Sequence, residues 1–183
     1  GDIHFSDGQK LKFDYLILAL GAETNYFNIP GLKENSFVLK SFMDALKIRD
    51  AIWGKAEAGE KNIKIIIGGA GSTGIELAGE IKSWLCQLEE EFSRCNVSVK
   101  IIEGEKSVLP GFNEKIIKKV AKRLKEIGVE MILNELIEKA EPGKVYLKSG
   151  RLINYGMLAV VGRMSGIRQR SLMSFMTGRW RIS

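Results

Sequence analysis

The sequence predicts an α/β fold, half of a doubly wound parallel sheet with a small antiparallel ribbon attached. Three observations predict it. From residue 62 to about 162, segments of strand period and helix period alternate, the order that βαβ crossovers impose. The first strand-to-helix junction is rich in glycine, with Gly68, Gly69, Gly71 and Gly74. The apolar runs 15–20 and 157–161 are continuous rather than alternating, as strands covered on both faces are.

At the N-terminus, Ile3, Phe5, Leu11 and Phe13 alternate around Asp7-Gly8, which reads as a β-hairpin. Residues 14–21 then form a continuous apolar strand ending in glycine, and Pro30-Gly31 signals a turn. Residues 36–61 read as a connector of helix and loop. Ser41 can cap its helix, and Phe42, Ala45, Leu46, Ile48, Ile52 and Trp53 recur near helical spacing up to Gly54. Residues 63–67 are a β-branched strand. A helix follows over 73–93, with Ile75, Leu77, Ala78, Ile81, Leu85 and Leu88 on its inner face. Residues 97–102 are a second strand. Asn113 can cap a helix over 114–127, which Gly128 ends before a third strand over 129–133. Short segments at 135–140, 144–148 and 151–154, the last two joined by Ser149-Gly150, make the ribbon, and 157–161 is the final buried strand. Residues beyond Gly162 show neither period.

With 183 residues, 45% hydrophobic and 27% charged, the chain has a globular balance. It has room for one large domain, or for a small complete one with pieces of another. The net charge of +6 does not describe a nucleic-acid groove, because Arg163, Arg168, Arg170, Arg179 and Arg181 stand in an acid-free tail. That tail carries five of the six charges, and the rest is close to neutral. Its polar and apolar residues do not segregate at helical spacing, so a membrane-surface hook is disfavoured. No apolar run approaches the ~20 residues of a membrane span. Cys86 and Cys95 have no metal-ligand or C-x-x-C spacing and read as reduced packing cysteines of a cytoplasmic protein, with no metal. His4, the single histidine, reads as an ordinary strand residue. A start at Gly1, without initiator Met or signal segment, leads to the expectation of a piece of a longer chain.

The chemistry is carried by Gly69, Gly71 and Gly74, a G-x-G-x-x-G pattern completed by Ala70, Ser72 and Thr73. The pattern follows a β-branched strand and opens a long amphipathic helix, the context of a Rossmann-type dinucleotide site. Gly69 permits the tight turn, Gly71 lets a pyrophosphate approach the backbone, and Gly74 lets helix and strand pack closely. Phosphates then meet free N–H groups at the helix N-terminus. Glu103 ends the second strand, where an acid can accept hydrogen bonds from a ribose and repel a 2′-phosphate, favouring NADH. An NADP reader would carry Arg at that place, and Lys106 is close enough to soften the discrimination. Glu76 is a candidate to face the cofactor, whereas Glu80 reads as structural.

Residues 64–80, with Glu103, Leu109-Pro110 and the helix after Asn113, resemble the NADH-binding domain of the pyridine nucleotide–disulfide oxidoreductase superfamily, flavoproteins with two dinucleotide-binding domains. The string 68–80 most resembles the type II NADH dehydrogenases, which usually have Pro where this chain has Ser72 and Asp where it has Gly156. Residues 16–22 are similar to the apolar strand and motif that contact FAD in that family.

The resemblance implies a partial FAD-domain segment over 1–35, the connector over 36–61, an NADH-binding Rossmann domain over 62–162 and an unassigned basic tail over 163–183. It implies roles for Gly69, Gly71, Gly74, Glu76, Glu103 and Gly162 around NADH, and for Ala19, Leu20 and Gly21 near FAD. The activity implied is hydride transfer from NADH to flavin and on to a quinone-type acceptor. The flavin carries the difficult chemistry there, so no acid–base residue is required, and Glu76 is the one catalytic candidate. The absence of a paired-cysteine motif argues against a disulfide-reductase branch. The family's other FAD-binding elements and membrane-anchoring C-terminal helices are not in the sequence. The expectation is therefore an NADH-binding portion, catalytic only within an intact parent peripheral on the cytoplasmic membrane. The alternative is a dinucleotide-binding module without turnover of its own.

Overall fold

A computed structural model describes residues 1–5, 7–17, 22–92, 96–161 and 164–166, without the side chains of 22, 85–92 and 164–166. These residues divide into two units, 1–23 with 164–166, and 24–161.

In the first unit, β1 (Asp2–His4) and β2 (Lys10–Lys12) pair antiparallel, with Ile3 opposite Leu11. Gly8 takes the left-handed turn at φ 87°, and the Gln9 N–H donates to Asp7 Oδ1 at 2.9 Å, so the turn chemistry is the expected one. The apolar run behaves differently. Residues 14–17 form no strand, and Tyr15 and Ile17 are 95% and 90% exposed. The expectation of a covered strand is corrected over 14–17, and its remainder lies outside the described residues. Among the described residues no strand pairs with 14–17, and without a ladder an apolar run has nothing to hold it extended. The hydrogen-bonded strand comes later, as β3 (Ala22–Thr24).

The second unit begins with the turn at Pro30-Gly31, which is fixed by the Ala140 N–H donating to the Pro30 carbonyl at 3.0 Å. β4 (Phe37–Val38) and α1 (Phe42–Glu57) follow. The segment read as helix and loop thus also holds a strand, too short to show a period. Then come β5 (Asn62–Gly68), α2 (Ser72–Phe92), β6 (Asn96–Glu103), α3 (Glu114–Glu126), β7 (Val129–Leu133), β8 (Ile137–Glu141), β9 (Lys144–Leu147), β10 (Leu152–Asn154) and β11 (Met157–Val160). The main sheet is parallel, in the order β4-β11-β5-β6-β7, and β8, β9 and β10 form the antiparallel ribbon. A last short strand, β12 (Met164–Gly166), pairs with β3.

Alternation along β5 explains why isoleucines crowd its second half, after the exposed Lys64. Ile63, Ile65 and Ile67 join a core with Ile48 and Ile52 of α1, Ala78 and Ile81 of α2, and Leu124 of α3. Ile66 points the other way, into a core with Leu32, Ile102, Leu158 and the ribbon residues Val145, Leu147 and Ile153. The three helices therefore cover one face and the ribbon the other, so the carboxyl-terminal halves of the central strands are buried on both faces, while Lys64 and Lys100 reach solvent nearer their starts. Trp53 of α1 and Trp84 of α2 stack with centroids 6.2 Å apart.

The ends of α1 and α3 follow from local chemistry. The Asn113 side chain accepts from the Lys115 N–H, and Gly128 at φ 74° stops α3. Ser41 and Asp44 form a reciprocal capping box on α1. Ser41→Ala should lower stability by about 1 kcal/mol at neutral pH, read by thermal unfolding. The Ser41 hydroxyl, followed by its backbone N–H, holds the Asp44 carboxyl below the usual carboxylate range. A depressed carboxyl stabilises the fold above its unfolded pKa and loses that contribution as pH falls through the folded value. The difference between Ser41→Ala and the parent sequence should therefore shrink in that acid range. A constant difference would show that Asp44 adds nothing to the cap.

Candidate dinucleotide site

β5 lies where the sheet connections diverge, with β6 on one side and β11 on the other. Open α/β sheets take ligands in the crevice beyond the carboxyl end of such a strand. Gly69, Ala70 and Gly71 fill that position, between the end of β5 and the start of α2.

Each glycine of the motif has a distinct physical reason. Gly69 sits at φ 111°, which L side chains rarely adopt, and its N–H donates to the Ile102 carbonyl at 2.8 Å. A Cβ on Gly71 would meet nothing within 4 Å, so that side of the turn is open. A Cβ on Gly74 would overlap the Gly69 carbonyl oxygen and lie 3.0 Å from Val161 Cγ2. The Ile75 N–H donates to the Gly71 carbonyl at 3.1 Å. The N–H groups of Ser72, Thr73 and Gly74 precede that bond, at the positive end of the helix. Ser72 and Thr73 are exposed and Ala70 is fully buried.

Glu103, the last residue of β6, reaches this turn. Its Oε2 accepts from the Ala70 N–H at 2.7 Å, and its Oε1 accepts from the Glu105 N–H at 3.1 Å. The Ala70 carbonyl in turn accepts from the Leu109 N–H at 2.9 Å. Leu109 is buried and left-handed at φ 49°, an unusual backbone for leucine and one that a following proline does not favour. Sequence reasoning did not single out Leu109 as a site residue. Its contribution is a main-chain N–H, which leaves no mark on residue type.

Glu76 is exposed one turn into α2 and does not join this cluster. With Thr73 and Glu80 it lines a groove of about 490 Å³ between α1 and α2, walled by Ile48 and Trp84. Glu80, read as structural, thus shares the groove with Glu76. At Gly156 a Cβ would lie 3.1 Å from Glu60 Oε1, and Glu60 pairs with Lys55 at 2.8 Å. Ala19, Leu20, Gly21 and Gly162 lie outside the described residues, as do Cys95 and the side chain of Cys86. Among the described residues, no group of three or more His, Cys, Asp or Glu could hold a metal ion, and no helix is long and apolar enough to cross a membrane.

A family model for pyridine nucleotide-disulphide oxidoreductases matches residues 2–170. A type II NADH:quinone oxidoreductase of Staphylococcus epidermidis is 30% identical over 75% of this chain and 37% of its own. An external alternative NAD(P)H-ubiquinone oxidoreductase of Arabidopsis thaliana mitochondria is 30% identical over 84% of this chain and 30% of its own. The solved NDH2 of Plasmodium falciparum, in complex with NADH, has a similar fold, with a TM-score of 0.74 at 24% identity. That likeness covers 89% of this chain and 37% of that one. The chain thus spans about a third of the length of these relatives.

Proposed function

The chain belongs to the pyridine nucleotide-disulphide oxidoreductase family, and from that premise we propose that it is the NADH-binding portion of an FAD-dependent NADH dehydrogenase. The observation that carries the proposal is the turn at 69–71, open at Gly71 and backed by a carboxylate at the tip of the neighbouring strand. The residues fit a dinucleotide. Gly71 leaves room for a pyrophosphate, and the N–H groups of Ser72, Thr73 and Gly74 would receive its charge. Each Glu103 oxygen takes one backbone N–H and keeps lone pairs for ribose hydroxyls, while its charge opposes a 2′-phosphate.

NADH bound there supplies a hydride, which a flavin in the complete enzyme would accept on its way to a quinone-type acceptor. Glu76 and Gly162 are proposed NADH contacts, and Ala19, Leu20 and Gly21 proposed FAD contacts, on the family resemblance. The Rossmann domain is assigned to 62–162 in the same proposal.

Titration of the 183-residue chain with NADH and NADPH, followed by nicotinamide fluorescence, tests the binding. The expected result is NADH bound at least about tenfold more tightly, the size of effect a misplaced like charge produces. Equal affinities would overturn the NADH preference, and binding of neither would overturn the assignment. Addition of FAD and NADH together tests the rest. Flavin bleaching would make the chain catalytic by itself, and NADH binding without bound flavin would make it a dinucleotide-binding module.

A further inference from the structure

We propose that Glu103 is also a positioning residue, holding the glycine turn in its ligand-ready shape through the Ala70 N–H. This rests on the proposed dinucleotide site but concerns the turn before any ligand arrives. The turn has almost no side chain to anchor it, because Gly69 and Gly71 have none and Ala70 has a methyl. Glycine-rich backbone has many alternative conformations, and restricting them must come from outside the turn.

Three fasteners supply the restriction. The Gly69 N–H is held by the Ile102 carbonyl, the Ala70 N–H by Glu103, and the Ala70 carbonyl by the Leu109 N–H. Glu103 has a part in more than one of them. Its second oxygen holds the Glu105 N–H, at the start of the loop that returns to bring Leu109 over Ala70. Ala70 is fully buried and Glu103 partly so, so loss of the carboxylate removes the fixed partner of the Ala70 N–H and leaves it at best a mobile water. A ligand would then have to bear the cost of ordering the turn.

Charge and acceptor function can be separated at this position. Gln keeps one carbonyl oxygen that can serve Ala70 but loses the charge that opposes a 2′-phosphate. Ala and Arg supply no acceptor at all. Glu103→Gln should therefore keep NADH affinity within about threefold and bring NADPH close to it. Glu103→Ala and Glu103→Arg should weaken both nucleotides by about tenfold or more, so Arg alone does not convert the site to NADPH.

Amide hydrogen exchange at Gly69 and Ala70 in the ligand-free chain is the independent readout. Exchange should accelerate in Glu103→Ala and return close to the parent rate in Glu103→Gln. Unchanged exchange in Glu103→Ala, or NADPH gained by Glu103→Arg with NADH retained, would overturn the positioning role. Failure of the unsubstituted chain to bind NADH would overturn the functional assignment, while the exchange comparison would still decide this one.

Discussion

Gly71→Val is expected to abolish NADH binding while leaving the fold nearly as stable as before. A Cβ at this position meets no protein atom within 4 Å, so the branch point of the new side chain has room in the free chain. The space it fills is the space proposed for the pyrophosphate. The Gly71 carbonyl accepts the bond from the Ile75 N–H, which puts the residue at the N-cap, where valine in place of glycine costs about 1 kcal/mol. Thermal unfolding should therefore fall by only a few degrees. Nicotinamide fluorescence should show no saturation at concentrations that saturate the parent chain. NADH affinity within a few-fold of the parent would place the phosphates elsewhere.

Gly74→Ala should do the reverse, damaging the fold first and binding as a consequence. Alanine is the better helix former by about 1 kcal/mol, which on propensity alone would stabilise α2. Against that stands an overlap of the new Cβ with the Gly69 carbonyl oxygen, with Val161 Cγ2 also tight at 3.0 Å. The first obstacle is backbone in a turn held by several hydrogen bonds, so it cannot yield as a side-chain tip can. Overpacking of this kind costs about 3 kcal/mol, more than the propensity gain. A fall of about 6 °C in melting temperature is the expected net result, with NADH affinity reduced because Gly69 must move. A melting temperature at or above that of the parent chain would show that helix and turn are not in the close contact described.

The contrast between these two glycines was legible in the sequence only as a pattern. The spacing of Gly69, Gly71 and Gly74 behind a β-branched strand identified the junction, and the structure assigns each glycine its neighbour. The ends of α3 were legible because Asn113 and Gly128 act on their own backbone, within two or three residues. Position 103 was legible as an acid at a strand tip. Its hydrogen bond to Ala70 was not, because the two are 33 residues apart and one partner is main chain. Leu109 was legible only as part of the resemblance, and its main-chain bond to Ala70 escaped for the same reason. Residues 14–17 misled because hydrophobicity reports what a segment could bury, and burial needs a partner strand. Phe37 and Val38 were missed because two residues cannot display an alternation, although both pair with β11 at the edge of the sheet.

The position of β11 ties the order of synthesis to the site. Ala159 lies opposite both Phe37 and Ile67, and Val160 opposite both Val38 and Gly68, so this late segment slots between two strands made long before it. Until it leaves the ribosome, β5 presents a bare, isoleucine-rich edge, the kind that other chains can pair with. The next residue, Val161, donates its N–H to the Gly68 carbonyl at 3.0 Å and crowds Gly74, so the cradle is also finished last. A nascent chain halted before this strand would be sticky and would lack part of the cradle proposed for a dinucleotide. If the proposed site holds, nucleotide capture would mark chains whose synthesis had run through the final strand of the sheet.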